Sequence, residues 1–490
     1  MPEPNPETLT YATEATLHQH PPGFRLRRGQ NWLLLGLTYA SYYLCRYNLG
    51  IVAVPFKETL GFTNFQYGMI DAARNGAYGI GQFVNGLFTD KLGGKRAMTI
   101  GAIGTAIMNL LFGLVAWSSF VGWMFFTLLI IRLADGYVQA FGAPGMVKIN
   151  TAWFRREERG TFAGIFGAMI NLGQMAAGKL GNLLVTGFSV PLIFFTIMVP
   201  TLDWRYIFIV PPVVVSIIII LMNLGTKNHP EEAGFRIVHD DENHDDDPQE
   251  TIHIAEVFRK ITSNPIVWIV AGAYFCTGFV RSAIYAWFTI YMFDAWGLGL
   301  KDPLVVGMLS LWFPIGATLG SLGSGFISDR LFRGRRAPVA AALYFLQAVF
   351  IIVGILMSEG ILYSTAAIAV GVVLCIHIGC NATHSILGTA AAMDLGGRKM
   401  AGFAAGVIDS FQYFGAMLAG LGLGWFLDQF SIRADGASTT AATVAASVTT
   451  PSQVINPTIW FTSMLPWGIL GTCLMGYLWW THRGTRTPGT

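Results

Sequence analysis

The chain has 490 residues, 53% of them hydrophobic and only 12% charged, with 57 glycines and a formal net charge of +3. Soluble domains typically carry about 25% charged residues, so the composition excludes an ordinary water-soluble protein, and no nucleic-acid partner is expected. It fits a polytopic protein whose solvent is the lipid bilayer.

Crossing a hydrocarbon core of ~30 Å takes about 20 apolar residues in a helix. Residues 1–30 form a polar, basic tail, and the apolar stretch after them is too long for a signal-peptide core. Six spans are predicted at 31–54, 67–89, 97–117, 121–147, 161–187 and 205–224, giving an N-terminal bundle over 31–224. Residues 225–262 contain the acidic run Asp240 to Asp247 and read as a cytoplasmic linker that cannot bury apolar surface. Six more spans follow at 264–293, 304–328, 337–357, 361–393, 401–426 and 459–481, a C-terminal bundle over 263–482. A Ser-, Thr- and Ala-rich extracytoplasmic loop interrupts it at 431–458, and 483–490 is a short tail. The expected fold is therefore all-α, twelve transmembrane helices in two pseudo-symmetric six-helix bundles. Basic residues crowd one set of loops, including Lys91, Lys95, Arg96, Arg155, Arg156, Arg159, Arg330, Arg333, Arg335 and Arg336. The opposite loops hold only Lys57, Arg205, Lys301 and Arg433, so the positive-inside rule puts both termini in the cytoplasm.

The halves repeat. Gly86-Leu87-Phe88-Thr89-Asp90-Lys91-Leu92-Gly93-Gly94-Lys95-Arg96 follows span two, and Gly325-Phe326-Ile327-Ser328-Asp329-Arg330, then Arg333-Gly334-Arg335-Arg336, follows span eight. In each copy an acid ends a helix beside basic partners, a latch that alternating access can break and remake. Asp90, Arg96, Asp329 and Arg330 are gating candidates on this reading.

Two arginines stand inside the apolar spans at matching places: Arg46 lies 44 residues before Asp90, and Arg281 lies 48 before Asp329. A charge at the bilayer centre costs about 2.5–3.5 kcal/mol on insertion scales, so such residues are functional candidates by default. Related by a pseudo-twofold, two guanidinium forks would face each other and grip one oxyanion bidentately. The alternative is that each pairs with an intramembrane acid, Asp71, Asp135 or Asp409, for stability alone. Asp71 and Arg74, three residues apart, are expected to pair on one face of span two. Asp71, Arg74, Asp409, Lys179 and His384 are the candidates for coupling or gating inside the membrane, and His377 shares a face with His384. The five cysteines have no metal spacing, and no catalytic constellation or nucleotide loop is present, so neither an enzyme nor a cofactor is expected.

The doubled motif, with Arg132 and Gly136 in span four, resembles the signature of the major facilitator superfamily, whose two bundles enclose a central cavity. Arg132 joins the gating candidates on that resemblance. Tyr39-Ala-x-Tyr42-Tyr43-Leu-x-Arg46-x-Asn48 resembles the first helix of its organophosphate:phosphate antiporter family. Ala77-Tyr78-Gly79, Gln139-x-x-Gly142-x-Pro144-Gly145-x-x-Lys148 and Tyr413-x-Gly415 agree with that family. The resemblance implies phosphate binding by Arg46 and Arg281, with Tyr39, Tyr43, Tyr78 and Tyr413 as cavity hydroxyls and Lys148, Gln82 and Asn171 as further binding candidates. Gln82 replaces a lysine of the family pattern, Ile170 a histidine, and Tyr47 stands where bacterial relatives often carry a lysine, so the site has lost positive charge. The expected function is exchange of an organic phosphate for inorganic phosphate by a monomer in a bacterial inner membrane. The alternatives are proton-coupled symport of an organic anion such as a sugar acid, and a non-transporting sugar-phosphate sensor.

Overall fold

In lipid, a backbone with no water to bond must satisfy itself, and a long apolar segment does so as a helix. The computed structural model describes residues 22–118, 122–154, 159–191, 196–235, 263–332, 334–391, 406–430 and 455–481, and these are almost wholly helical. In chain order the main helices are α1 (Phe24–Arg46), α2 (Asn64–Leu92), α3 (Gly94–Trp117), α4 (Met124–Gln139, continued by Gly142–Trp153), α5 (Arg159–Thr186) and α6 (Val210–Gly225). The second set is α7 (Pro265–Trp296), α8 (Phe313–Leu331), α9 (Arg336–Ser358), α10 (Ala366–Ser385), α11 (406–418, continued through a π turn at Ala419–Leu423 to Gln429) and α12 (Pro457–Thr481). Eight helical stretches are long and apolar enough to cross a membrane: Gly94–Trp117, Met124–Trp153, Trp204–Gly225, Pro265–Trp296, Pro303–Leu331, Arg336–Ser358, Ala366–Gly388 and Pro457–Thr481. The helices α1, α2, α5 and α11 stand at the other four predicted spans, and polar side chains lower their hydropathy. The sequence reading missed one feature: Phe188–Pro191 pairs antiparallel with Thr196–Val199 as a small hairpin between α5 and α6.

Packing repeats between the halves. α1 packs on α5 and α6, α2 on α4, and α3 on α4 and α6; likewise α7 packs on α11 and α12, α8 on α10, and α9 on α10 and α12. The repeated turns match in backbone too: Gly93 has φ +84° and Gly334 φ +83°. A side chain enters that left-handed region only under strain.

The halves meet along α2 with α11, α5 with α8, and α7 with the short helix Asn48–Ile51 that follows α1. At the end of the bundle away from the repeated turns, this seam is tight. A Cβ on Gly68 would collide with the Gly420 carbonyl, so two backbones touch there. The Asp428 carboxylate accepts from the backbone N–H groups of Asn64 (2.9 Å) and Phe65 (2.8 Å). It thereby caps the start of α2 from the opposite half. Mid-bundle, Ser410 donates to the Gly79 carbonyl (3.0 Å), Gln82 to Asp409 (3.1 Å) and Asn171 to Thr318 (2.6 Å). From there to the repeated turns, no hydrogen bond between two described residues joins the halves.

Of the basic residues around the second turn, Arg336 pairs with Asp329 at 2.7 Å, while the Arg330 guanidinium lies over the Phe326 ring. Arg96 is exposed, and the side chain of Asp90 lies outside the described residues. Arg132 is buried inside the first half and bonded to Asp135 at 3.3 Å. The linker is described only as far as residue 235, where Phe235 packs edge-on against Phe24; most of it and of the 431–458 loop lies outside the described residues.

Candidate functional site: a buried arginine cavity

Helical periodicity builds the site. On α2, Asp71, Arg74, Asn75, Tyr78 and Gln82 recur three or four apart and share one face. Arg281, Ser282 and Tyr285 do so on α7, and Asp409, Gln412, Tyr413 and Ala416 on α11. These faces converge with Arg46 on a central, partly open cavity lined by Arg46, Tyr47, Asp71, Arg74, Arg281, Tyr285, Gln412 and Tyr413 among others. The two repeat-related arginines therefore reach one space. Their backbones differ: α7 runs unbroken past Arg281, whereas α1 ends at Arg46. The chain resumes as Asn48–Ile51 and again at Ala53, just ahead of Pro55, which has no N–H to continue the ladder.

Arg46 lies between the rings of Tyr43 and Tyr78, its guanidinium carbon 4.8 and 4.5 Å from their centroids. Those distances are close enough for cation–π attraction. Its Nε donates to Gln139 Oε1 (2.6 Å) and its Nη1 reaches Tyr43 Oη (3.4 Å). Arg281 Nη1 lies 3.4 Å from His384 Nε2. The Gln412 amide is oriented by its neighbours' hydrogen-bonding needs. In the orientation that satisfies them, it accepts from Arg281 Nη1 (3.0 Å) and donates to Asp409 Oδ1 and Tyr274 Oη (3.2 Å each). Among the described residues, neither Arg46 nor Arg281 has a carboxylate within salt-bridge range. Arg46 Nη2 and Arg281 Nε are buried and find no acceptor. Leaving a buried donor unpaired costs about 1–3 kcal/mol, more for a charged group.

The other two arginines share an acid, although Arg74 Nε and Arg132 Nε and Nη2 are likewise buried without an acceptor. Arg132 and Arg74 lie 3.3 and 3.9 Å from Asp135, which also accepts from Asn109 (3.2 Å). Arg74 further donates to Asn75 (3.0 Å) and to Gln139 Oε1 (3.2 Å), so one amide oxygen serves both Arg46 and Arg74. The expected Asp71–Arg74 pair is not made: Asp71 accepts from Asn75 (2.8 Å) and, across the halves, from Ser282 (3.5 Å). The reason is that α2 packs so closely on α4, where a Cβ on Gly136 would collide with the Arg74 carbonyl, that Arg74 turns toward the acid of α4.

The remaining candidates divide by position. Tyr413 lines the cavity, and its ring packs on Tyr78 with centroids 4.3 Å apart. Gln82 bridges Tyr78 (3.3 Å) and Asp409 (3.1 Å) just beyond it. Tyr39 packs against Tyr42 and Tyr43 behind the arginine, while Tyr42 turns away to the Met98 carbonyl (2.7 Å). Asn171 is taken up at the α5–α8 seam. Lys148 reaches toward the Thr89 carbonyl (3.4 Å) near the repeated turn, away from the cavity lining. Lys179 is exposed, with no acid in salt-bridge range among the described residues. His384 stands 2.5 Å from Tyr274 Oη, and His377 is hydrogen-bonded in the core to Tyr285 (2.7 Å). Gln139 and Gln412 were missed as site residues; each lies three or four positions from an intramembrane acid on the same face, which is the signal that marks them.

Two helical bundles around a buried, polar, mid-bundle cavity define a secondary transporter. The Major Facilitator Superfamily profile matches residues 35–420, and the chain belongs to that superfamily. It is 28% identical over 426 residues to the glycerol-3-phosphate transporter of Bacillus subtilis, covering 83% of this chain and 88% of that one. It is 25% identical to the membrane sensor protein UhpC of Escherichia coli, covering 83% and 87%. These relatives bear out the resemblance read from the sequence. Among solved structures, a bacterial homolog of the human lysosomal transporter Spinster, inward-facing and unoccupied, superposes with a TM-score of 0.68 at 16% identity, covering 93% of this chain and 97% of that one. The chain is thus an integral, multi-pass membrane transporter rather than an enzyme.

Proposed function

We propose that the protein exchanges an organic phosphate for inorganic phosphate by alternating access, as a monomer, with Arg46 and Arg281 as the phosphate clamp. The observation that carries this is the contrast among the four intramembrane arginines. Arg74 and Arg132 share the carboxylate of Asp135, whereas the two in repeat-related positions have only neutral partners. A structural ion pair would put an acid beside each of them, and an arriving oxyanion would supply the missing negative charge. The relation to a glycerol-3-phosphate transporter supports the substrate class. In this reading 31–224 and 263–482 rock about the cavity, both termini and the linker are cytoplasmic, and the membrane is a bacterial inner membrane. The seam at Gly68, Gly420 and Asp428 then closes the outer side.

Proton-linked uptake has one observation in its favour. Arg281, His384, Tyr274 and Asp409 form a chain of contacts of 3.4, 2.5 and 3.5 Å from the cavity to a half-buried carboxyl. Proteoliposomes preloaded with phosphate separate the readings. Exchange predicts organophosphate uptake that requires internal phosphate; proton symport predicts uptake into phosphate-free vesicles driven by an imposed pH gradient. A sensor would bind ligand and move none.

Gln139 is the positioning residue for the clamp. Gln139→Leu removes the shared acceptor and should weaken phosphate binding about tenfold, and Gln139→Glu, which neutralises Arg46, should weaken it further. Titration calorimetry on purified protein checks this; unchanged affinity in both variants would remove Gln139 from the site.

A further inference from the structure

Among the described residues lining the arginine cavity, Asp71 is the one acid. A carboxylate beside an anion site repels the phosphate through a medium of low dielectric constant, so its presence there calls for an attractive contact with some other part of the ligand. The other two intramembrane acids lie outside the lining: Asp135 holds Arg132 and Asn109, and Asp409 accepts from Gln82.

Asp71 is held in direction but not neutralised. Its Oδ2 accepts from Asn75 Nδ2 (2.8 Å), four residues on along the same face of α2, and from Ser282 Oγ (3.5 Å) on α7. Asn75 Oδ1 in turn accepts from Arg74 (3.0 Å), so that amide stands between the acid and the guanidinium. Asp71 Oδ1 accepts from no described residue. Along α2, Asp71 lies one turn inside Gly68, and along α11 Ala416 lies one turn inside Gly420, so both stand next to the closed seam. Ser282, Ala286 and Gly50, which also line the cavity, are small. Arginine donates and cannot accept, whereas an ionised carboxylate only accepts. The clamp can therefore grip a phosphate but cannot take up the proton of a hydroxyl, and Asp71 can.

Resting on the organophosphate reading, we propose that Asp71 is the specificity-determining residue for the carbon skeleton: its Oδ1 accepts from a hydroxyl of a polyol or sugar phosphate whose phosphate lies between Arg46 and Arg281. Asn75 and Ser282 are positioning residues that aim the carboxylate. An O–H donor to a carboxylate makes a charge-assisted hydrogen bond, roughly twice as strong as a neutral one.

The test uses glycerol 3-phosphate, glucose 6-phosphate and propyl phosphate, monoesters of equal charge, of which the last has no hydroxyl. Each is measured as a competitor of labelled phosphate self-exchange in proteoliposomes and as a stabiliser of the purified protein against melting. The better of the two hydroxylated esters should compete at about tenfold lower concentration than propyl phosphate, or lower still. In Asp71→Ala that ratio should fall to about one, measured against the variant's own phosphate exchange. Because the esters carry the same charge, the general effect of removing an anion from the cavity cancels in the ratio. Asp71→Asn keeps the side chain's size and a neutral acceptor, and its ratio should fall between the two; it decides the matter if the alanine variant fails to fold. Wild-type protein with no preference for either hydroxylated ester overturns the assignment, as does a preference unchanged in the variants. If phosphate self-exchange is absent, the exchange reading fails instead, and the melting shifts for the esters still decide Asp71.

Discussion

Arg46→Lys and Arg281→Lys are each expected to lower phosphate affinity by roughly tens- to thousands-fold, about 2–5 kcal/mol, although the charge is kept. An ammonium is a single point of donation, whereas a guanidinium can meet an oxyanion with two parallel donors. Lysine would also lose the planar seat between Tyr43 and Tyr78 that fixes Arg46 in direction. Affinity and melting temperature measured on the same purified variants separate binding from folding. A well-folded Arg281→Lys protein with wild-type phosphate affinity would overturn the clamp.

Asp428→Asn is the second large expected effect, and it concerns the equilibrium between conformations instead of the ligand. Asp428 accepts two charge-assisted hydrogen bonds from the first N–H groups of α2 in the other half. Hydrogen bonds to charged groups contribute about 1.5–3 kcal/mol, and the asparagine carbonyl can keep only one of them, without the charge that favours a helix N-terminus. Opening of that end should become about tenfold more frequent or greater. The readout is the rate at which an impermeant maleimide, added from that side, labels Ala416→Cys in a background without the native cysteines. A rate the same with aspartate and asparagine would mean that the glycine contact alone holds the seam.

The repeat was legible because it is written twice, in the spacing from each arginine to its acidic turn and in the turn glycines at 93 and 334. Arg46 and Arg281 were legible for the same reason, together with the cost of placing a charge in lipid. What could not be read was which acid each remaining cation would choose. Asp71 and Arg74 are neighbours along α2, yet the close approach of α4 at Gly136 hands Arg74 to Asp135, a contact set by packing between helices and invisible to periodicity within one. Lys148 was misplaced by the same limit. Its spacing within a motif gives its register on α4 but not its depth, which follows from the break after Gln139.

Arg46, Arg74, Arg132 and Arg281 share the middle of the bundle with Asp71, Asp135 and Asp409. With all seven ionised, the empty protein carries one unit of positive charge in excess in a medium of low dielectric constant. An unloaded carrier must therefore drag an uncompensated charge through each reorientation, while one holding a singly charged phosphate need not. On the proposed reading, exchange then requires no separate coupling device: the electrostatic self-energy of the vacant site is the brake on the futile return stroke, and either anion releases it.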